Sequence, residues 1–205
     1  EGAAHGVEEG GGSDAREVGM QESIKQSSCM LAARAAINHD LILTSGGVSV
    51  GEADFVKPAV QALGELQLWS LSIKPGKPFA YGHIKNQSSQ EKQAHFIGLP
   101  GNPVSSLVTF LMLVRPFVLS LQGCLDVTVE PRLERADFSF PKADRRREFL
   151  RVKRNQHGGL DLFPNQSSGV LTSAVWADGL VDNPAGTIIA PGDQVKFLSF
   201  KDLMS

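Results

Sequence analysis

Three glycine-rich loops, each placed directly after a short apolar run, constrain this chain more than any other feature. They read Thr44-Ser45-Gly46-Gly47-Val48-Ser49-Val50-Gly51-Glu52-Ala53-Asp54, then Lys74-Pro75-Gly76-Lys77-Pro78, then Gly98-Leu99-Pro100-Gly101-Asn102-Pro103-Val104-Ser105-Ser106. Apolar runs that stop in glycine, hydroxyl and charge suit an α/β sheet, where loops at the carboxyl ends of strands carry the ligand. The loops offer backbone donors, hydroxyls, two ammonium groups and two carboxylates. That inventory suits a phosphorylated or oxyanionic ligand with a metal ion nearby.

Periodicity places the loops on elements. Apolar residues at helical spacing predict a helix over about 21–38, and Leu41 to Thr44 reads as a short buried strand. A second helix spans about 54–63, with Gly64 placed as its C-cap. Leu66 to Ile73 reads as one strand, and Phe79 to Ile84 with His95 to Leu99 as a strand pair joined by a polar loop. Val104 to Leu121 is a strongly apolar helix, with Asn102 as candidate N-cap, Pro103 at its first position and Gly123 at its end. Beyond residues 122–128 the pattern changes to short runs with turn signals: 133–140, 148–154, 160–163, 187–190 and 194–200. His157-Gly158-Gly159 marks a hairpin. The expected organisation is a glycine-rich, acidic, loose or cut end over 1–19, an α/β domain over 20–123, and a small β domain over 124–205.

Composition excludes several classes. A formal net charge of −2 argues against general nucleic-acid binding. The local basic cluster Lys142, Arg145, Arg146, Arg147, Arg151, Lys153 and Arg154 is the exception. Cys29 and Cys124 lie far apart and match no metal or redox spacing, which suits reduced thiols in a cytoplasmic protein. No apolar run approaches a membrane span, because Pro100, Asn102 and Pro103 interrupt the run from Phe96 to Leu121. The amino end carries no basic flank or apolar segment of a secretory signal.

Each loop has a chemical reading and a plainer one. The prolines of Lys74-Pro75-Gly76-Lys77-Pro78 stiffen a turn that can hold Lys74 and Lys77 on one side as phosphate-binding point charges. The plainer reading is a solvated turn. Pro100-Gly101-Asn102-Pro103 opens a helix whose unpaired N–H groups form an anion site, with Ser105 in the first turn; the plainer reading is capping by Asn102. In the first loop Gly46, Gly47 and Gly51 permit close backbone approach, and Ser45 and Ser49 offer hydroxyls. Glu52 and Asp54 would repel a bare phosphate, but suit Mg²⁺ shared between carboxylate and phosphate. Asp54 as an N-cap is the alternative. The loop lacks the pattern of a P-loop.

Read together, the three motifs resemble the molybdopterin molybdenumtransferase family, which includes bacterial MoeA and the E domain of gephyrin. Arg147-Glu148-Phe149-Leu150-Arg151 resembles the family's Arg-x-Glu-Phe-x-Arg segment, and Gln166-Ser167-Ser168 its Gln-x-Ser segment. The resemblance covers about residues 21–205. It implies a three-layer α/β molybdopterin-binding domain, incomplete at its amino end, followed by a small, barrel-like β domain. It further implies a cytoplasmic homodimeric enzyme of molybdenum cofactor biosynthesis, in contact with the preceding adenylyltransferase and with neither nucleic acid nor membrane. Its substrates would be adenylylated molybdopterin and molybdate; with Mg²⁺ the adenylate is cleaved, AMP leaves and molybdenum enters the dithiolene. Carried onto this chain, Asp54 and Glu52 would hold Mg²⁺, with Asp54, Lys74 and Lys77 as the catalytic set. Ser45, Gly46, Gly47, Ser49, Gly51, Pro75, Gly76, Pro100, Gly101, Asn102, Ser105, Arg147 and Ser168 would line the substrate. Family members carry further amino-terminal domains, so a truncated chain is expected. A non-catalytic fragment, a gephyrin-like scaffold and a molybdopterin adenylyltransferase relative are the rival readings.

Overall fold

The computed structural model describes residues 27–46, 56–86, 89 and 92–205. A helix over 27–38 (α1) leads to strand β1, Leu41–Ser45. Helix α2, Val56–Leu63, is followed by β2, Gly64–Ser70, β3, Ile73–Lys74, β4, Pro78–Lys85, and β5, Gln93–Leu99. Helix α3, Pro103–Thr109, continues through a π turn, Phe110–Val114, into α4, Arg115–Leu121. The remainder comprises β6, Arg132–Arg135, β7, Arg147–Arg154, β8, Leu160–Leu162, α5, Thr172–Trp176, β9, Gly179–Asn183, β10, Gln194–Ser199, and α6, Phe200–Leu203. One four-stranded sheet has the order β1-β5-β4-β2, and a six-stranded sheet has the order β3-β7-β9-β10-β6 with β8 on β7.

The chain divides into two compact units. The first is Glu1–Ile42, Val50–Leu66 and Gly82–Phe96; the second is Leu43–Ser49, Gln67–Tyr81 and Ile97–Ser205. In the first, Ala36, Ala59, Val60, Ile84, Ala94 and Phe96 are buried. Gly64 is not the C-cap that the sequence predicts. It starts β2 directly after α2, and it is absent from the glycines with positive φ. Its role is close approach: a Cβ there would lie 1.9 Å from the His83 carbonyl oxygen, and one at Gly82 would lie 2.1 Å from that of Glu65. His83 and His95 pack ring against ring at 4.9 Å.

The second unit is built on two apolar clusters. Val104, Val108 and Leu111 of the 103–121 helix pack with Phe149, Leu180, Leu198 and Phe200. Ala136, Leu150, Val152, Leu160, Val181 and Phe197 form the other. Pro103 begins this helix rather than breaking it, because a proline at the first turn sacrifices no intrahelical bond. Pro116 falls in the first turn of α4, just after the π turn. The helical run of 19 residues is thus long and apolar enough to cross a membrane by length and composition, contrary to the sequence expectation. Its Val104, Val108, Leu111 and Val114 are nonetheless buried in protein. Gly123, at φ +87°, ends it as expected.

Four further departures from the expectations appear. The predicted strand 66–73 is split at Leu71–Ser72: β2 belongs to the first sheet, whereas β3 pairs in parallel with β7, Ile73 opposite Arg147 and Lys74 opposite Glu148. The break is fixed by the Leu71 N–H donating to the Lys77 carbonyl at 2.7 Å and the Arg147 N–H donating to the Ser72 carbonyl at 3.0 Å. Strand β1 is only half-buried, with Leu43 41% exposed, since it lies at the end of its sheet among the described residues. Strand β9, not predicted, is buried along its whole length between β7 and β10. The predicted strand 187–190 reduces to one bridge, Phe140 with Ile189.

Gly76 tests how tightly the second loop is seated. It has φ +120°, and a Cβ there would meet Thr109 Oγ1 at 2.5 Å and Ile73 Cδ1 at 3.1 Å. Gly76→Ala should lower unfolding free energy by about 3 kcal/mol through left-handed strain and overpacking. Gly123→Ala, with nothing within 4 Å of the new methyl, should lower it by only about 1 kcal/mol. Urea denaturation distinguishes the two; equal losses would mean that the Gly76 contact with Thr109 is slack.

Candidate functional site

The first and third loops meet at the start of α3. The Gly46 N–H donates to the Leu99 carbonyl at 3.0 Å, with Gly46 at φ +88°. A Cβ on Gly101 would lie 3.7 Å from Gly46 Cα, so two glycines face each other where these loops touch. Ser45 Oγ lies 3.3 Å from Ser106 Oγ, and the Ser106 hydroxyl donates to the Pro100 carbonyl. Ser105 is buried, so Ser106, which sequence reading passed over, is the hydroxyl that reaches Ser45. Asn102 stands at the N-cap without a side-chain cap bond; its carbonyl accepts from Ser106 N–H at 2.9 Å. The Val104 N–H donates to the Ser168 carbonyl at 3.1 Å, which brings Ser168 to the same helix start.

The second loop is seated elsewhere. The Lys74–Pro75 bond is cis, and Pro75 and Gly76 are buried. Lys74 Nζ lies 2.8 Å from Glu148 Oε1 and 3.2 Å from Asp144 Oδ2. Glu148 is 2% exposed, and its Oε2 finds no partner among the described residues, as is also true of Thr109 Oγ1. The Glu148 hydrogen bond, with Asp144 behind it, raises the Lys74 ammonium pKa above its ordinary value against the opposing effect of burial. Asp144 is held well below the usual carboxylate range, first by the Arg146 guanidinium and backbone N–H, then by Lys74. An open polar groove of about 670 Å³ is lined by Ser72, Lys77, Ala143, Asp144, Arg145 and Arg146. Ser45, Ser105 and Ser168 are not in that lining.

The arginines of the tail are committed in different ways. Arg147 makes a two-pronged ion pair with the buried Asp182 and packs over the Phe149 ring. Arg151 is 1% exposed and donates to Ser173 Oγ at 3.2 Å, the Phe149 carbonyl at 3.1 Å and the Ser167 carbonyl at 3.4 Å. Burial pushes its pKa down to about 10, with Glu148 opposing. Gln166 closes the arrangement, accepting from Arg151 N–H and donating to the carbonyls of Arg151 and Phe163. The motif-like residues 147–151 and 166–168 thus form one hydrogen-bonded clip. Of the carboxylates that set the state of Lys74 and Arg147, Glu148 entered the sequence reading only as part of the 147–151 segment, and Asp144 and Asp182 were not singled out.

Gly47, Ser49, Gly51, Glu52 and Asp54 lie outside the described residues. Among the described residues no group of three or more His, Cys, Asp or Glu is arranged to hold a metal ion. The carboxylates nearest the second loop, Asp144 and Glu148, are each engaged by a cation.

Residues 14–120 match the family described as "Probable molybdopterin binding domain", and residues 135–200 match "MoeA C-terminal region (domain IV)". The chain is 56% identical over 84 residues to a molybdopterin molybdenumtransferase of Haemophilus influenzae, covering 41% of this chain and 19% of that protein. It is 36% identical over 162 residues to the molybdenum cofactor synthesis protein cinnamon of Drosophila melanogaster, covering 74% of this chain and 25% of that protein. The crystal structure of a molybdopterin biosynthesis MoeA protein from Pyrococcus horikosii superposes with a TM-score of 0.65 at 31% identity, covering 86% of this chain and 41% of that one. The chain therefore spans well under half the length of these relatives.

Two measurements test this geometry. Because the folded-state pKa of Asp144 is depressed, its ionised form stabilises the fold above the ordinary aspartate value of 3.8, and that contribution is lost as pH falls below it. The melting difference between wild type and Asp144→Asn should be present at about pH 6 and shrink toward about pH 2; a constant gap would rule out charge as its cause. Arg151→Met should cost about 3 kcal/mol in urea denaturation, by stranding buried acceptors, and speed hydrogen exchange at Val104 N–H. Arg151→Lys should not rescue it, since one ammonium cannot reach the three acceptors of a planar fork.

Proposed function

The chain belongs to the family of the probable molybdopterin binding domain, and from that premise we propose that it carries the carboxy-terminal domains of a molybdopterin molybdenumtransferase acting in molybdenum cofactor biosynthesis. One observation carries the reading. The parallel pairing of β3 with β7 brings Lys74, from the first matched segment, within 2.8 Å of Glu148, from the second. The two matches are thus joined at the loop that bears the candidate lysines. Their limits, 14–120 and 135–200, support an α/β domain over 20–123 followed by a small β domain over 124–205.

The proposed reaction cleaves the adenylate of adenylylated molybdopterin, releases AMP and inserts molybdenum from molybdate into the dithiolene. Cleavage of a phosphoanhydride builds negative charge on the departing oxygens, which fixed cations and N–H groups stabilise. Lys77, exposed beside Arg145 and Arg146, makes no ion pair among the described residues and would meet an oxyanion in the groove. Lys74, whose side chain is 41% exposed, adds its charge from a fixed position. Ser45, Gly46, Pro100, Gly101, Asn102, Ser105 and Ser168 belong to the helix-start part of the proposed site; Pro75 and Gly76 shape the turn between the lysines. Arg147 enters the proposal with Asp182 attached to it. Mg²⁺ is assigned to Asp54 and Glu52, where it would neutralise phosphate charge. A homodimer, contact with the adenylylating enzyme and a cytoplasmic location belong to the same proposal.

The test is AMP release from adenylylated molybdopterin with molybdate and Mg²⁺. Lys74→Ala and Asp54→Ala should each reduce the release roughly 100-fold or more, as loss of one charge-stabilising group does elsewhere; Lys74→Ala also melts lower because it strands the buried Glu148, so both variants are assayed below their melting temperatures. Wild-type rates in both variants would overturn the assigned roles.

A further inference from the structure

We propose that Asp144 is a built-in competitor for the oxyanion: its carboxylate occupies the place between Lys74 and Arg146 that a tetrahedral dianion takes on binding. This rests on the reading that the Lys74–Lys77 turn receives an oxyanion. Asp144 Oδ1 accepts from Arg146 Nε and from the Arg146 backbone N–H, both at 3.0 Å. Its Oδ2 accepts from Arg146 Nη2 at 3.0 Å and lies 3.2 Å from Lys74 Nζ. Two oxygens bridging a guanidinium fork and an ammonium is the arrangement that holds an edge of a phosphate-like anion.

Asp144 differs from Glu148 in the way that a competitor must. Glu148 is buried and fixes Lys74 whether or not a ligand is present. The Asp144 side chain is 23% exposed and opens onto the groove that Lys77, Arg145 and Ser72 also line. Its backbone is tied independently, since the Gly186 N–H donates to the Asp144 carbonyl at 2.8 Å. The side chain can therefore turn aside while the chain stays in place. Lys74 and Arg146 contact it, Lys77 and Arg145 line the same groove, and these last two make no ion pair among the described residues. An incoming anion thus exchanges with a tethered carboxylate rather than with water alone. A dianion gains more from these cations than the single charge of Asp144, whereas a monoanion only matches it. The device lowers affinity, favours doubly charged ligands and hastens their release.

Isothermal titration of the full chain with sodium molybdate at low salt tests this. Asp144→Asn keeps the Oδ1 acceptor for the Arg146 N–H but removes the charge. It should bind molybdate roughly tenfold more tightly than wild type, as expected for deleting a like charge a few ångströms from the ligand. Lys74→Ala should bind more weakly. Equal or weaker binding by Asp144→Asn, with Lys74→Ala still weakened, overturns the competitor role and leaves the oxyanion reading standing. Binding that ignores Lys74→Ala, or none in either wild type or Asp144→Asn, overturns both. Melting temperatures recorded alongside show that each variant is folded.

Discussion

The pairing of β3 with β7, closed by the ion pair of Lys74 with Glu148, is the interaction on which the second loop and its groove depend. A two-residue strand contributes few backbone bonds. It holds its place because a buried carboxylate cannot be left without a cation, and Lys74 is that cation. Losing one partner from such a pair exposes the other to a desolvation cost of several kcal/mol. Once Lys74 is fixed, Gly76 is pressed against Thr109 of α3, and Lys77 is directed into the groove beside Arg145 and Arg146. A loop of apparent flexibility is therefore clamped on both sides.

A second chain of contacts runs from the same strand to the helix start. Arg151 lies on β7 three residues after Glu148, and its buried guanidinium gathers the carbonyls of Phe149 and Ser167 and the Ser173 hydroxyl. That holds the 166–168 segment where the Ser168 carbonyl satisfies the Val104 N–H, one of the donors that a helix start leaves open. One of the N–H groups that sequence reading assigned to an anion is thus occupied by the protein itself. The residues most like a ligand-binding motif act here chiefly on other residues.

What the sequence made legible follows from locality. The Gly123 terminus, the hairpin at 157–159, the strand pair β4 and β5 and the start of α3 at Pro103 are each decided by neighbours in the chain, so periodicity and turn chemistry suffice. What it hid depends on distant partners. Gly64 reads as a cap, but close approach to the His83 carbonyl is what requires it. Residues 66–73 read as one strand, because nothing in their pattern records that the last two pair with Arg147 and Glu148. Strand β9 contains Gly179, Asp182 and Asn183, poor strand formers, and it is held in the sheet centre by neighbours on both sides. The family motifs named the lysines and contained Glu148, but did not record that Glu148 and Asp144, some 70 residues away, decide how much of the lysine charge is free.

That distinction decides how the groove can work. A cluster of cations is strongly attractive only to the extent that its charge is uncompensated. Here Lys74 and Arg146 are engaged by Glu148 and Asp144, and Arg147 by Asp182. The uncompensated charge is concentrated on Lys77 and Arg145, both exposed and so screened by salt. Such a site binds a small anion from solution weakly. Its affinity rises for a ligand that offers an oxygen pair to the engaged cations and also reaches these two at the rim, so that binding energy is gathered along the ligand rather than at one charge. Compensation of the inner cations also keeps the empty groove from repelling itself. The carboxylates that weaken the site are therefore the groups that allow its lysines and arginines to stand together.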